Sequence, residues 1–163
     1  MRTMLSALAL SALALSVLAL SGCAAQMAYR DGNELAARDQ PEAALQKYQE
    51  ALGREPNNAG YRSAYRLTRE RYTLQFLAEG DRLVAAFKPE QAAQAYRRVL
   101  GIDPQNEKAR EGLRLIEAND RLDKMLAEAT GAVAARQTDL ARQKLNAILA
   151  ERPGNERARA LLR

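Results

Sequence analysis

The chain has 163 residues, 25 Lys and Arg against 20 Asp and Glu for a net charge of +5, no His, no Trp and a single Cys. That length holds one domain of ordinary size, and one Cys excludes an internal disulfide. The lack of His removes the usual zinc ligands, the Ser-His and Cys-His pairs and the commonest general base, so no enzyme, metal, cofactor or small-molecule substrate is expected.

In chain order, residues 1–22 have the parts of an export signal: Arg2 near the start, an apolar run of 17 residues from Met4 to Leu20, then small residues. The run is at the short limit for spanning a bilayer, and no Lys or Arg follows until Arg30. Leu20-Ser21-Gly22-Cys23 resembles the lipobox of bacterial lipoproteins. The resemblance implies a diacylglyceryl thioether on Cys23, cleavage before it and acylation of the new amino terminus. Several acyl chains hold stably where one does not, at about 0.8 kcal/mol per buried methylene. Two other products fit the same residues: a secreted chain cut after Cys23-Ala24-Ala25, and an uncleaved signal anchor. Ala24 and Ala25 stand where the aspartate of an inner-membrane retention signal would be, which points to the periplasmic face of a Gram-negative outer membrane. Residues 23–28 are a short segment between this anchor and the repeats.

From residue 29 the chain repeats itself. Gly32–Asn58 aligns without a gap on Gly80–Asn106 at an offset of 48, pairing Gly32/Gly80, Leu35/Leu83, Pro41/Pro89, Ala44/Ala92, Tyr48/Tyr96, Leu52/Leu100 and Pro56/Pro104. A third copy lies 49 further on, where Leu77-Ala78-Glu79 recurs as Leu126-Ala127-Glu128 and Pro104-Gln105-Asn106 as Pro153-Gly154-Asn155. In that copy Ala129 replaces the glycine and Leu145 the tyrosine.

Each copy reads as two helices. Ala44, Tyr48, Ala51 and Leu52 form one helical stripe, and the small residues Gly32 and Ala44 let two helix backbones approach. Pro56, Pro104 and Pro153 stop the second helix, because a proline disfavours helical geometry in the residue before it. Asn58, Asn106 and Asn155 are N-caps for the helices that follow, and Pro41 and Pro89 restart the chain after the inner turn.

This order of Gly, Ala, aromatic, Ala and Pro resembles the tetratricopeptide repeat, whose usual period is about 34 residues. The expected fold is an all-α solenoid of about three repeats, over residues 29–56, 57–104 and 105–153, with a last partial helix over 155–163. The 14 residues by which 48 exceeds 34 lengthen the first helix of a pair by ~21 Å, so Asn58 to Phe87 and Asn106 to about Arg136 read as single long helices. Along the first of these, Tyr61, Tyr65, Tyr72, Phe76, Leu83 and Phe87 form a core stripe. Arg62, Arg66, Arg69 and Arg71 interleave with it, but the helical spacing explains the tyrosines as core and the arginines as solvated, so no nucleic acid is expected.

Tetratricopeptide arrays are generally binding scaffolds. The resemblance places polar residues after the glycine position, Asn33, Asp81 and Thr130, with Arg30 and Arg82 on a partner-binding face. A wider resemblance covers nearly the whole chain: the lipobox, then Ala-Tyr-Arg-Asp-Gly, Asn-Asn-Ala-Gly-Tyr-Arg-Ser, Ala-Arg-Glu-Gly-Leu-Arg-Leu-Ile-Glu and Glu-Arg-Pro-Gly-Asn-Glu-Arg-Ala-Arg look like the amino-terminal region of lipidated secretins. Those are ring-forming outer-membrane channels of type II secretion and type IV pilus systems. It implies a non-catalytic scaffold anchored through Cys23, with envelope secretion or assembly proteins as partners and self-association in a ring. The helix opening at Asn155 stops two turns in, at Ala160-Leu161-Leu162, as in a truncated array. The alternatives are a complete small lipoprotein acting as a pilotin or assembly factor, and a cell-wall hydrolase using carboxylates such as Asp31 and Glu34.

Overall fold

The computed structural model describes residues 22–163, so the signal segment, apart from Gly22, lies outside the described residues. Those residues form seven helices and no strand, packed as sequential antiparallel pairs in a tetratricopeptide-like arrangement. The first, α1, covers residues 22–37. It is followed by α2 (Pro41–Arg54), α3 (Ala59–Ala85), α4 (Pro89–Ile102), α5 (Glu107–Ala134), α6 (Thr138–Glu151) and α7 (Glu156–Leu162). Residues 23–28 are helical and continuous with α1, and Ala25 and Ala28 are buried. None of the described helices is long and apolar enough to cross a membrane.

The helix ends follow the local chemistry. α2, α4 and α6 each stop two residues before a proline. The residues between, Glu55, Asp103 and Arg152, have ψ of 76°, 87° and 85°, outside the helical region that a following proline ring disfavours. The next helices open on asparagine caps: Asn58 Oδ1 accepts from the Gly60 and Tyr61 amides, Asn106 Oδ1 from Ala109 and Asn155 Oδ1 from Ala158. The long helices expected from the period are present at 27 and 28 residues.

The turns inside the repeats end α1, α3 and α5 in one way. Asp39, Phe87 and Arg136 have φ of 58°, 57° and 56°. The amides that follow, Gln40, Lys88 and Gln137, bond back to the carbonyls of Leu35, Leu83 and Ala132 at 3.0, 2.9 and 2.9 Å. This is the Schellman closure, built three times without glycine. A left-handed residue with a Cβ costs roughly 1–2 kcal/mol. Phe87 is 93% exposed and recovers none of that by burial, so it does not belong to the core stripe in which the sequence places it. Phe87→Gly is expected to raise stability by about 0.5–1 kcal/mol after glycine's own entropy cost, read as a higher thermal midpoint by circular dichroism. An unchanged or lower midpoint would show that the turn carries no strain.

The rest of that stripe is corrected in one further place. Tyr61, Tyr72, Phe76 and Leu83 are buried, but Tyr65 is only half-buried, and Thr68, Leu77 and Gly80 complete the buried set. The reason is that α3 packs on both α2 and α4, so its contact face changes along its length.

The chain divides into two compact units, one ending at Ala109 and the other covering Arg110–Arg163. In the second, Leu122, Leu126 and Ala129 of α5 pack with Leu145 and Ile148 of α6 and Ala158 of α7.

Candidate functional site

The sequence-selected polar positions sit on a packing device. A Cβ on Gly32 would lie 2.6 Å from Tyr48 Cε1, and one on Gly80 would lie 2.5 Å from Tyr96 Cε1, so only glycine admits the ring. With the ring that close, its hydroxyl reaches the residue after the glycine: Tyr48 donates to Asn33 Oδ1 and Tyr96 to Asp81 Oδ1, both at 2.8 Å. In the third repeat Leu145 carries no hydroxyl. There Ala129 fits without exposure, and Thr130 donates its own hydroxyl to the Leu126 carbonyl at 2.8 Å.

Asp81 is further committed, accepting from Lys108 Nζ at 2.6 Å. The Lys108 hydrogen bond holds its carboxyl below the usual carboxylate range, with burial opposing. Burial, reinforced by the Asp81 carboxylate, pushes the Tyr96 hydroxyl up to about 12, so it remains a neutral donor at physiological pH. Tyr48 is raised as well, by burial, against the smaller pull of a Thr68 hydrogen bond.

Of the selected residues, Asn33 alone lines a groove on α1 and α3. This concavity of about 350 Å³ lies in the first compact unit, between α1 and α3. Small side chains line part of it, Ala36 and Ala37 from α1 and Ala64 from α3, and its buried members are Tyr48 and Thr68. Asn33, Tyr48 and Thr68 supply polar atoms, and Leu67 and Arg71 form the rim on α3. Leu67 is 57% exposed, a large apolar side chain open to solvent. The Arg71 guanidinium lies 4.5 Å over the Tyr72 ring, and the Tyr72 hydroxyl donates to the Ala36 carbonyl at 3.1 Å. The ring therefore holds the cation at the groove rim while tying α3 to the end of α1.

The remaining candidates are separate from this groove. Arg30 and Arg82 are exposed on α1 and α3, and Cys23 is an exposed free thiol in the first described turn of α1. Asp31 and Glu34, the carboxylates considered for hydrolysis, face cations: Asp31 lies 3.9 Å from Lys47, and Glu34 pairs with Arg38. Among the described residues no group of three or more His, Cys, Asp or Glu could hold a metal ion.

Leu67 and the three alanines were not singled out from sequence, and Arg71 was named there only as one of four solvated arginines. The small side chains of Ala36, Ala37 and Ala64 leave space beside Tyr48 and Thr68. No family model matches this chain, and no curated protein matches it. What is established is the all-α helical-repeat fold.

Proposed function

We propose that this chain is a non-catalytic scaffold, held by acyl chains on Cys23 at the periplasmic face of the outer membrane, that seats a segment of an envelope secretion or assembly protein. The observation that supports this most directly is the α1–α3 groove, lined by three alanines, with an exposed leucine and a guanidinium over Tyr72 at its rim. Such a groove suits a peptide that places an apolar side chain on the alanines and a carboxylate on Arg71, with the Asn33 amide available to its backbone. Together with the lipobox and the secretin resemblance, this supports the amino-terminal module of a secretin-like protein in type II secretion or type IV pilus assembly.

Two measurements test the reading. Intact mass of the native product should show a tri-acylated amino terminus at Cys23. A peptide display selection on the purified chain should enrich acidic residues beside an apolar one, and Arg71→Glu should weaken the selected peptides about tenfold, the scale of one charge-assisted hydrogen bond. Selection without acidic enrichment, or undiminished binding by a folded Arg71→Glu protein, would remove the groove from the proposal.

A further inference from the structure

Cys23 is two residues from Ala25, which is fully buried, and five from Ala28, which is 3% exposed. Both alanines belong to a core cluster with Ala51 of α2 and Tyr61 of α3. Tyr61 reinforces it by donating to Gln26 Oε1 at 2.9 Å, and its ring lies 4.8 Å from that of Tyr29. Packed structure thus begins within two residues of the attachment point, and no linker separates them. The same end of this unit carries the turn from α2 to α3, since a Cβ on Gly22 would lie 3.5 Å from Glu55 Oε1. Arg54 precedes that turn and Arg62 follows it, with Arg62 reaching the Asn57 carbonyl at 3.4 Å; both arginines are exposed. Met27, one helical turn beyond Cys23, is 64% exposed.

We infer, resting on the lipid-anchor reading, that this end of the first compact unit lies directly against the phospholipid surface, so that the acyl chains orient the fold as well as retain it. The headgroup layer on each side of a bilayer is about 5–8 Å deep. From Cys23, two helical residues advance ~3 Å and four ~6 Å, so once the acyl chains enter the hydrocarbon, Ala25 to Met27 lie within that layer. Met27 lies among the headgroups with its side chain open to them, and Arg54 and Arg62 meet phosphate groups. The apolar run Met4–Leu20 joins the fold at this same end, so an uncleaved signal would bring the same surface to the membrane. Asn33 is ten residues further along α1, ~15 Å from the anchor, which keeps the groove clear of the headgroups.

The chain has no Trp, so Asn57→Trp at the membrane-facing turn and Gln40→Trp at the opposite end of the α1–α2 pair each give a single emitter. Each acylated full-length protein, with folding confirmed by circular dichroism, is reconstituted into vesicles of phosphatidylethanolamine and phosphatidylglycerol with brominated acyl chains. Quenching should be about threefold stronger for Asn57→Trp than for Gln40→Trp. Ten Gly and Ser residues inserted after Cys23 give a flexible span of ~17 Å and should abolish the difference. Equal quenching at the two positions, or a difference that survives the linker, overturns the inference. Mass spectrometry separately decides whether the chain is acylated. If it is not, coupling the Cys23 thiol to a maleimide phospholipid supplies the same attachment, and the quenching ratio still decides the orientation.

Discussion

Phe76→Ala is expected to lower the stability of the first compact unit by about 3–5 kcal/mol, the range for a fully buried aromatic whose cavity cannot collapse. Phe76 is 1% exposed, and its ring lies 5.8 Å from that of Tyr72. The Arg98 guanidinium covers it at 3.8 Å and bonds Glu42 at 3.0 and 3.4 Å, so one ring carries a link from α4 back to α2. The ion pair itself is about 43% exposed on both sides and contributes little alone. The loss therefore comes from buried area and from the vacated space beneath the arginine. Urea unfolding followed by circular dichroism should show the midpoint falling by about 2 M. A fall of less than about 0.5 M would mean that the helices close over the gap.

The second large effect is a reversal of sign. Gly80→Ala should destabilise by about 1–2 kcal/mol: forcing a methyl into the Tyr96 ring costs roughly 1–3 kcal/mol, and better helix propensity returns up to about 1. In a Tyr96→Leu background the same substitution should become neutral or stabilising, because the obstructing ring is gone. The chain already contains the double exchange, as Ala129 with Leu145, where the alanine is fully buried and the leucine 1% exposed. A four-member cycle of urea midpoints should give a coupling of at least about 1 kcal/mol between positions 80 and 96. Additive effects would mean that the tyrosine can move aside and that the glycine is present for another reason.

Much of the fold could be read directly. Pro56, Pro104 and Pro153 set the ends of three helices through a steric rule that acts on one neighbouring residue. Asn58, Asn106 and Asn155 cap through bonds spanning two or three residues. Such local causes leave local traces. Phe87 misled because its period continues past the helix end: spacing cannot register that the backbone turns left-handed at that residue. Tyr65 misled because α3 serves two neighbours, and a single stripe describes only one of them.

The candidate site was less legible. Asn33 and Asp81 were marked as polar and accessible, but each accepts a tyrosine hydroxyl, a bond across 15 residues that follows from the closeness of the adjacent glycine. The joint change to Ala129, Thr130 and Leu145 in the third repeat carried that information, since all three differ together. Arg71 gave no signal of its own. One arginine among several on α3, it is distinguished by lying over Tyr72 at the groove rim, which is a matter of three-dimensional neighbours.

The left-handed turns have one more consequence. Their shape is held by backbone bonds to Leu35, Leu83 and Ala132, so the residue at the apex does not have to build it. An acid, an aromatic and a base occupy the three apices, as Asp39, Phe87 and Arg136. The turn is thus a fixed mount with an interchangeable tip, on which a new side chain can be displayed at a known position without redesigning the helices that hold it.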